Sequence, residues 1–374
     1  MAPYWSRDFG NAASRTHRYG WRAEAAVELA RERIAGALGA ADPREIVFTS
    51  GATESDNLAL AGALAAHAEE GDHLVSVATE HAAVLDPLKA FARRGVRFTL
   101  LPVNGDGRVD PADVAKAIEK RTVLVSVGAA NGEIGTLQPL AEIGRVCAER
   151  DVLFHSDAAQ AVGKIPLDVE ALGLDLLSCS AHKLYGPKGV GALYVRRRRR
   201  SGARLRLEPL LHGGGQERGL RSGTLPVPLI VGFAEALALA QAEREAEAAR
   251  LVALRERLFE TLLAALGDGV LRNGPLEGRL PGNLNVSVSG VPADALLAQL
   301  EDVALSTGSA CSSARPEPSH VLAALGLSPE RARCAVRVGL GRSTSAADVD
   351  RAAARIAAEV KRIRGEKAAL GLDG

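Results

Sequence analysis

Between residues 45 and 195 the sequence changes period again and again. Short apolar runs, EIVFTS, HLVSVAT, VRFTLLPV, TVLVSVG, VLFHSD, LDLLSCS and GALYV, alternate with stretches that carry apolar residues at helical spacing, starting near Thr53, Ala82, Pro111 and Pro139. Strands that alternate with helices must be joined by crossovers, so the pattern predicts an α/β fold with a mostly parallel, seven-stranded sheet buried on both faces. Ahead of it, WRAEAAVELARERIAGALG at 21–39 has helical periodicity and ends on glycine, a helix stop.

From 226 to 266 the chain turns Ala-, Leu-, Glu- and Arg-rich, long enough for one extended helix or two. After it come NLNVSVSG, a helix at 293–301, VALST, a loop containing Cys311, a helix near 319–325, CAVRVGL and a last helix from 346. These segments predict a smaller α+β domain at 259–374 behind a large domain at 12–258, with residues 1–11 packing on the small one. The formal net charge of +1 supplies no field for nucleic acid or an anionic membrane. No window is apolar for long enough to span a bilayer, and the first twenty residues lack a signal-peptide core, so a cytoplasmic protein is expected. Four widely spaced cysteines fit neither a disulfide framework nor a metal knuckle. The run RRRRR at 196–200 reads as a solvated loop.

In an open α/β sheet ligands bind beyond the carboxyl ends of the strands. SGATESDN follows the first strand and opens a helix, so Gly51, Ala52 and Thr53 would offer N–H groups and a hydroxyl to an anion. The same stretch also reads as a plain cap by Thr53 with Glu54 and Asp56 in the first turn. Other strand ends place His81, then Asp157 and Gln160, then His182 and Lys183 at the same edge. Each has a structural explanation alone. Together they match what pyridoxal phosphate requires: a helix N-terminus and hydroxyls for its phosphate, a carboxylate for its ring nitrogen, and a lysine, Lys183, to form a Schiff base with its aldehyde. Gly186, Pro187 and Gly189 would shape the turn after that lysine.

The motifs FGNAASRTHRYG, EIVFTSGATESDNLAL, TEHAAVLDP, NGEIGT, DAAQAVGK, SAHKLYGPKGVGALYV, HGGGQERGLRSGTLP and STGSACSSARPEPSHVL follow one another along nearly the whole chain. In that order the sequence resembles the NifS/IscS-like cysteine desulfurases of the class V aminotransferase group, fold type I pyridoxal phosphate enzymes. The resemblance implies that Thr53, Ser180 and His182 hold the phosphate with Ala52 behind it. It implies further that Asp157 pairs with the ring nitrogen, Gln160 bonds the ring hydroxyl, and His81 stacks on the ring and moves protons. Thr224, in RSGT, would reach the phosphate of the neighbouring subunit, which implies a homodimer. Arg337 would grip the substrate carboxylate, with Arg342 as fallback. Cys311 would be the nucleophile that takes sulfur from L-cysteine, leaving alanine and a persulfide for an iron–sulfur scaffold or a tRNA-thiolation relay. Its loop, Ser-, Gly- and Ala-rich and full length as in the mobile-loop subgroup, suits direct delivery, and Cys311 is also a candidate transient iron–sulfur ligand. Cys147, Cys179 and Cys334 read as structural.

Two departures stand out. Relatives open with a strand bearing an ATTP-like stretch ahead of FGN and this sequence begins after it, which raises either a late start or a missing wall. Gly132 replaces an asparagine that touches cofactor or substrate in many relatives, leaving Asn131 as its stand-in. The alternatives are a selenocysteine lyase, another class V enzyme, or an inactive cofactor-binding partner in sulfur transfer. Ser180-x-x-Lys183 with Ser55-Asp56-Asn57 suggests a serine β-lactamase, but the order is reversed and no Lys-Thr-Gly follows. HGGG at 212–215 lacks the Gly-x-Ser-x-Gly elbow of a lipase.

Overall fold

The computed structural model describes residues 1–199, 202–307 and 319–369. They form two compact units: residues 1–101, 109–130 and 138–244 make the first, and residues 102–108, 131–137 and 245–374 the second.

The first unit opens with α1 (Pro3–Ser6) and α2 (Arg18–Leu38). α2 starts on His17, whose Nδ1 accepts from the Gly20 N–H, and stops at Gly39 in the left-handed region at φ 70°. Then β1 (Ile46–Thr49), α3 (Ala52–Ala66), β2 (His73–Val77), α4 (Ala82–Ala92), β3 (Arg97–Leu101), α5 (Pro111–Ala117), β4 (Thr122–Ser126), α6 (Leu140–Glu149), β5 (Leu153–Asp157), β6 (Leu176–Ser180) and β7 (Gly191–Val195) alternate along the chain. The seven strands pair in the order β1-β7-β6-β5-β4-β2-β3; only β7 runs antiparallel to its neighbours. The expected mostly parallel sheet is present. Its central strands are buried throughout while the edge strand β3 is largely open, which is why the inner strands read as unbroken apolar runs. Leu58, Leu60, Val84 and Leu88 from α3 and α4 pack on Leu74, Leu124, Leu153, Leu176 and Leu193 of the sheet. Because all strands but β7 point the same way, their carboxyl ends line one edge.

α7 (Val227–Leu266) is one continuous helix, and the two units divide inside it, between Arg244 and Glu245. The sequence expectation sets the division at 258/259, near the end of the helical stretch; a helix shared by two units shows no break in period. Met1 belongs to the first unit, where a Cβ on Gly232 would meet its sulfur at 2.6 Å.

In the second unit β8 (Val270–Arg272), β9 (Asn283–Val288) and β10 (Ala335–Gly339) form an antiparallel sheet in the order β10-β9-β8. α8 (Ala293–Leu297), α9 (His320–Ala324), α10 (Pro329–Arg333) and α11 (Ala346–Ala369) complete it. Leu258 and Leu262 of α7 pack with Leu284 and Val286 of β9 and with Ile356 and Val360 of α11. α8 ends earlier than expected, and VALST forms no strand; only Ser306 bridges to Arg337. β8, of three residues, and α10, of five, are too short to repeat a period, which hides them in the sequence. Within the arginine run Arg196 pairs with Glu170 at 2.9 Å, Arg197 with Asp42 at 2.5 Å and Arg199 with Glu70 at 3.0 Å, while Arg198 donates to Gly202 O at 2.9 Å. Among the described residues no helix is long and apolar enough to cross a membrane, and no group of His, Cys, Asp and Glu could hold a metal ion.

Candidate active site

The carboxyl edge of the large sheet gathers the polar residues singled out in the sequence. β1 ends at Thr49, whose hydroxyl lies 2.8 Å from that of Ser55 and also accepts from the Gly51 N–H at 3.3 Å. Gly51 caps α3 at φ 155°, a conformation open to glycine, and no side chain caps the helix. The cap expected from Thr53 is therefore absent; Thr53 is the second residue of the helix. The leading N–H groups of α3 keep their donors for a ligand at the positive end of a fifteen-residue helix.

Ser180, at the end of β6, stands beside this turn: a Cβ on Gly51 would lie 3.6 Å from the Ser180 hydroxyl. That hydroxyl is 2.8 Å from Nδ1 of His182. Loss of hydration and the charges of Lys183 and Lys188 hold the His182 imidazole below its ordinary range. The turn that carries both residues, Ala181–Leu184, is closed by Gly186 N–H donating to Ala181 O at 2.9 Å and by Tyr185 at φ 66°. A Cβ on Gly186 would lie 2.9 Å from Ala181 O, and Gly189 takes φ 83°, so these two glycines shape the loop as expected. Lys183 itself is exposed.

Asp157 closes β5 and is held by the Ala159 N–H at 2.8 Å. Burial raises its pKa, while the charges of His81 and Lys183 oppose the rise, so these three groups share one electrostatic environment. His81 caps α4, with its Nδ1 accepting from the Ala83 N–H at 3.1 Å. In the neutral ring this leaves the proton on Nε2. The side-chain oxygen of Gln160 accepts from Lys164 Nζ at 3.0 Å, which leaves its amide NH2 to face another partner. Burial, with the Lys183 charge, pushes Lys164 down to about 8.

Four residues at this edge were not singled out from the sequence: Lys164, Glu80, Asp56 and His155. Asp56, which the sequence reading placed in the first turn beside a Thr53 cap, is fully buried. Glu80 is buried too, and its Oε1 accepts from the Gly128 N–H at 2.6 Å. A signal existed for Asp56, which falls on the apolar face of α3 between Ser55 and Leu58, a poor place for an unpaired charge.

Thr224 is exposed and follows Gly223, whose N–H donates to Gln216 at 2.9 Å. Arg221 of the same segment pairs with Glu54 in the first turn of α3 at 2.8 Å. In the second unit Arg337, on β10, donates to Gly132 O at 3.2 Å and pairs through its backbone with Ser306. The Asn131 side-chain oxygen accepts from the N–H groups of Glu133 and Ile134 at 2.9 and 3.0 Å, so it caps the turn at Gly132. Arg342 is exposed. Cys311 lies outside the described residues; Cys147, Cys179 and Cys334 are buried, and burial pushes the Cys179 thiol up to about 12.

The donor set suits pyridoxal phosphate. An uncapped helix end with a hydroxyl and an imidazole beside it has the donors that a phosphate requires, and Gly51 at φ 155° gives the turn its shape. A half-buried carboxylate at a strand end, with an exposed lysine and a histidine acting on its charge, fits the other groups the cofactor requires.

Residues 1–352 match the model of the aminotransferase class-V family. The cysteine desulfurase IscS of Anaeromyxobacter dehalogenans is 53% identical over 97% of this chain and 89% of its own length. The cysteine desulfurase of Mus musculus is 50% identical over 97% of this chain and 78% of its own. Among solved structures, a NifS-like protein superposes with a TM-score of 0.88 at 35% identity, covering 96% of this chain and 94% of that one. SspA in complex with cysteine gives a TM-score of 0.78 at 39% identity, covering 90% and 92%.

Proposed function

The chain belongs to the cysteine desulfurases of the class-V aminotransferase family, and from that premise we propose that it removes sulfur from L-cysteine with the residues assigned below. Class-V aminotransferases are pyridoxal phosphate enzymes. When bound, that group withdraws electrons from the substrate carbon skeleton and so makes the substrate sulfur open to attack.

The N–H groups at Ala52 and Thr53, the Thr53 and Ser180 hydroxyls, and His182 would hold the phosphate, with Thr224 completing the site of a neighbouring subunit in a homodimer. Lys183 would supply the amine that tethers the cofactor and would move protons at the substrate carbon. Asp157 would supply a negative charge to the ring nitrogen, and Gln160, fixed by the bond from Lys164, would offer its NH2 to the ring hydroxyl. His81 would present Nε2 as the proton-bearing nitrogen and would stack on the ring. Arg337 binds the substrate carboxylate through a bidentate, charge-assisted contact, and Asn131 keeps the adjoining turn in shape.

Cys311 as thiolate attacks the sulfur of cysteine. A sulfur–sulfur bond forms, the carbon–sulfur bond breaks, and a proton replaces sulfur on the carbon, giving alanine and a Cys311 persulfide. The persulfide then passes to an acceptor in iron–sulfur cluster assembly or tRNA thiolation, in the cytoplasm.

The observation that carries this reading is that the half-buried Asp157, His81 and Lys183 stand at the strand ends of one sheet edge together with an uncapped helix end. The full chain loaded with pyridoxal phosphate is incubated with L-cysteine, and alanine and intact mass are measured. One added sulfur mapped to residue 311 is expected. Lys183→Ala should abolish alanine release and the tethered-cofactor absorbance, whereas Cys311→Ala should retain the absorbance and lose the added sulfur. Persulfide formation in Cys311→Ala would refute the assignment.

A further inference from the structure

Behind Asp157 the first unit buries a second carboxyl group that this chemistry does not use. Asp56 of α3 is fully buried, and neither of its oxygens has a hydrogen-bond partner. His155 Nε2 faces it at 3.6 Å; the Ser178 hydroxyl, 3.0 Å from that nitrogen, favours the charged form of Asp56, but burial outweighs it. The charges acting on Asp56 are those of Asp157 and Glu80, both of its own sign, and Cys179 packs within reach of both aspartates. His81 and Lys183 act on Asp157.

His155 cannot serve as the missing cation. Its ring is fully buried, its nitrogens are occupied by the hydroxyls of Ser126 at 2.8 Å and Ser178 at 3.0 Å, and burial pushes it down to about 3. A carboxylate inside a protein with neither hydrogen bond nor counter-ion takes up a proton rather than keep its charge. Burial and the neighbouring acids accordingly raise Asp56 well above the carboxylate range.

We propose that Asp56 stays protonated and forms with the half-buried Asp157 an acid pair carrying one negative charge, which rests on Asp157 when a cation is near it. The two lie on either side of one group: Asp157 pairs in register with Ser178, whose hydroxyl is 3.0 Å from the His155 nitrogen that Asp56 faces. Neighbouring carboxyls release their protons in separate steps, and the pair shares the first charge. The Lys183 charge acts on Asp157 and not on Asp56, so it draws that charge to the residue at the sheet edge. Asp56 is thus a positioning residue acting through Asp157. Its value to the reaction rests on the assignment of Asp157 above; the pair itself does not.

The test is infrared spectroscopy of the full chain at pH 7, both loaded with and stripped of pyridoxal phosphate. The proposal expects the carbonyl-stretch band of a protonated carboxylic acid, with one component lost in Asp56→Asn and another in Glu80→Gln. Asparagine replaces a neutral acid by a neutral amide, so the stripped Asp56→Asn chain should bind pyridoxal phosphate within about twofold of the parent. Loss of a true counter-charge would change binding about tenfold for each 1.4 kcal/mol removed. An acid band unchanged in Asp56→Asn, or a tenfold loss of affinity, overturns the proposal. Should that variant not fold, Glu80→Gln decides alone: an acid component must persist there, and its absence overturns the proposal. Because the band is read without cofactor as well, its fate is separate from whether the chain binds pyridoxal phosphate.

Discussion

Glu80 shows how a single buried residue at the candidate site couples chemistry to stability. Burial is the main cause that pushes its carboxyl up to about 8, with the Asp157 charge adding to the rise and the Gly128 N–H opposing it. Unfolded, the same side chain titrates near 4.5. Between these values the unfolded chain sheds a proton that the folded chain keeps, so this contribution to stability is complete below pH 4.5, falls as pH rises, and is gone by about 8. The slope for one group is about 1.4 kcal/mol per pH unit. In Glu80→Gln the amide oxygen still accepts from Gly128, while the titration disappears. Urea unfolding from pH 5 to 8 should therefore show the variant gaining on the parent with each step toward alkali; parallel curves would mean that Glu80 is already ionised in the fold. Sequence reading caught Lys183, Asp157 and His81 because each follows an apolar run at a strand end. It passed over Glu80, Asp56 and His155 because burial of a polar residue is a three-dimensional fact: Glu80 and His81 are neighbours in the chain, yet one is buried and the other exposed.

At the scale of elements, the candidate phosphate cradle is a junction of three backbones. The β1–α3 turn at Gly51, the end of β6 and the start of β7 meet so closely that a Cβ on Gly191 would lie 2.4 Å from Cys179 O and 2.7 Å from Gly51 Cα. No rotamer relieves a clash with backbone, so Gly191→Ala must move β7 or the turn. It is expected to cost about 1–3 kcal/mol and, by shifting the leading N–H groups of α3, to weaken binding of pyridoxal phosphate to the stripped chain. Gly36 is the contrast, since a Cβ there would meet nothing within 4 Å inside α2. Gly36→Ala should raise stability by about 0.5–1 kcal/mol and leave cofactor affinity alone. Calorimetry and a cofactor titration on both variants check the pair of outcomes. Five-residue buried strands such as β2, β4 and β6 were legible because a buried parallel strand is rich in apolar residues on both faces. Close backbone approach leaves none: the glycine of GALYV reads as an ordinary strand residue.

Across the whole molecule the balance of 46 basic against 45 acidic side chains hides two kinds of ion pair. Arg257 and Asp350 meet at 2.6 Å with each side chain about half exposed. Arg31 and Glu217 meet at 2.8 Å with both side chains almost wholly excluded from water. The second pair ties together segments far apart in sequence. Glu217 also accepts from the Phe48 N–H at 2.7 Å, and Arg31 donates to Ile46 O at 2.7 Å while lying over the Phe48 ring. Glu217 and Arg218 stand in the left-handed region at φ 48° and 57°, a strained conformation retained because these bonds define it. The sequence carried a hint in α2, where Arg31 falls on the face of Val27, Ile34 and Leu38, but the acid it answers lies in a glycine-rich loop with no periodicity to place it. Removing Glu217 leaves a buried guanidinium uncompensated, which costs about 3–5 kcal/mol, whereas an exposed pair contributes about 0–1 kcal/mol. Denaturant unfolding should therefore find Glu217→Ala severely destabilised and Asp350→Ala near the parent, and added salt should shrink only the second, smaller difference. Equal losses in the two variants would show that Arg31 finds water or another acceptor once Glu217 is gone.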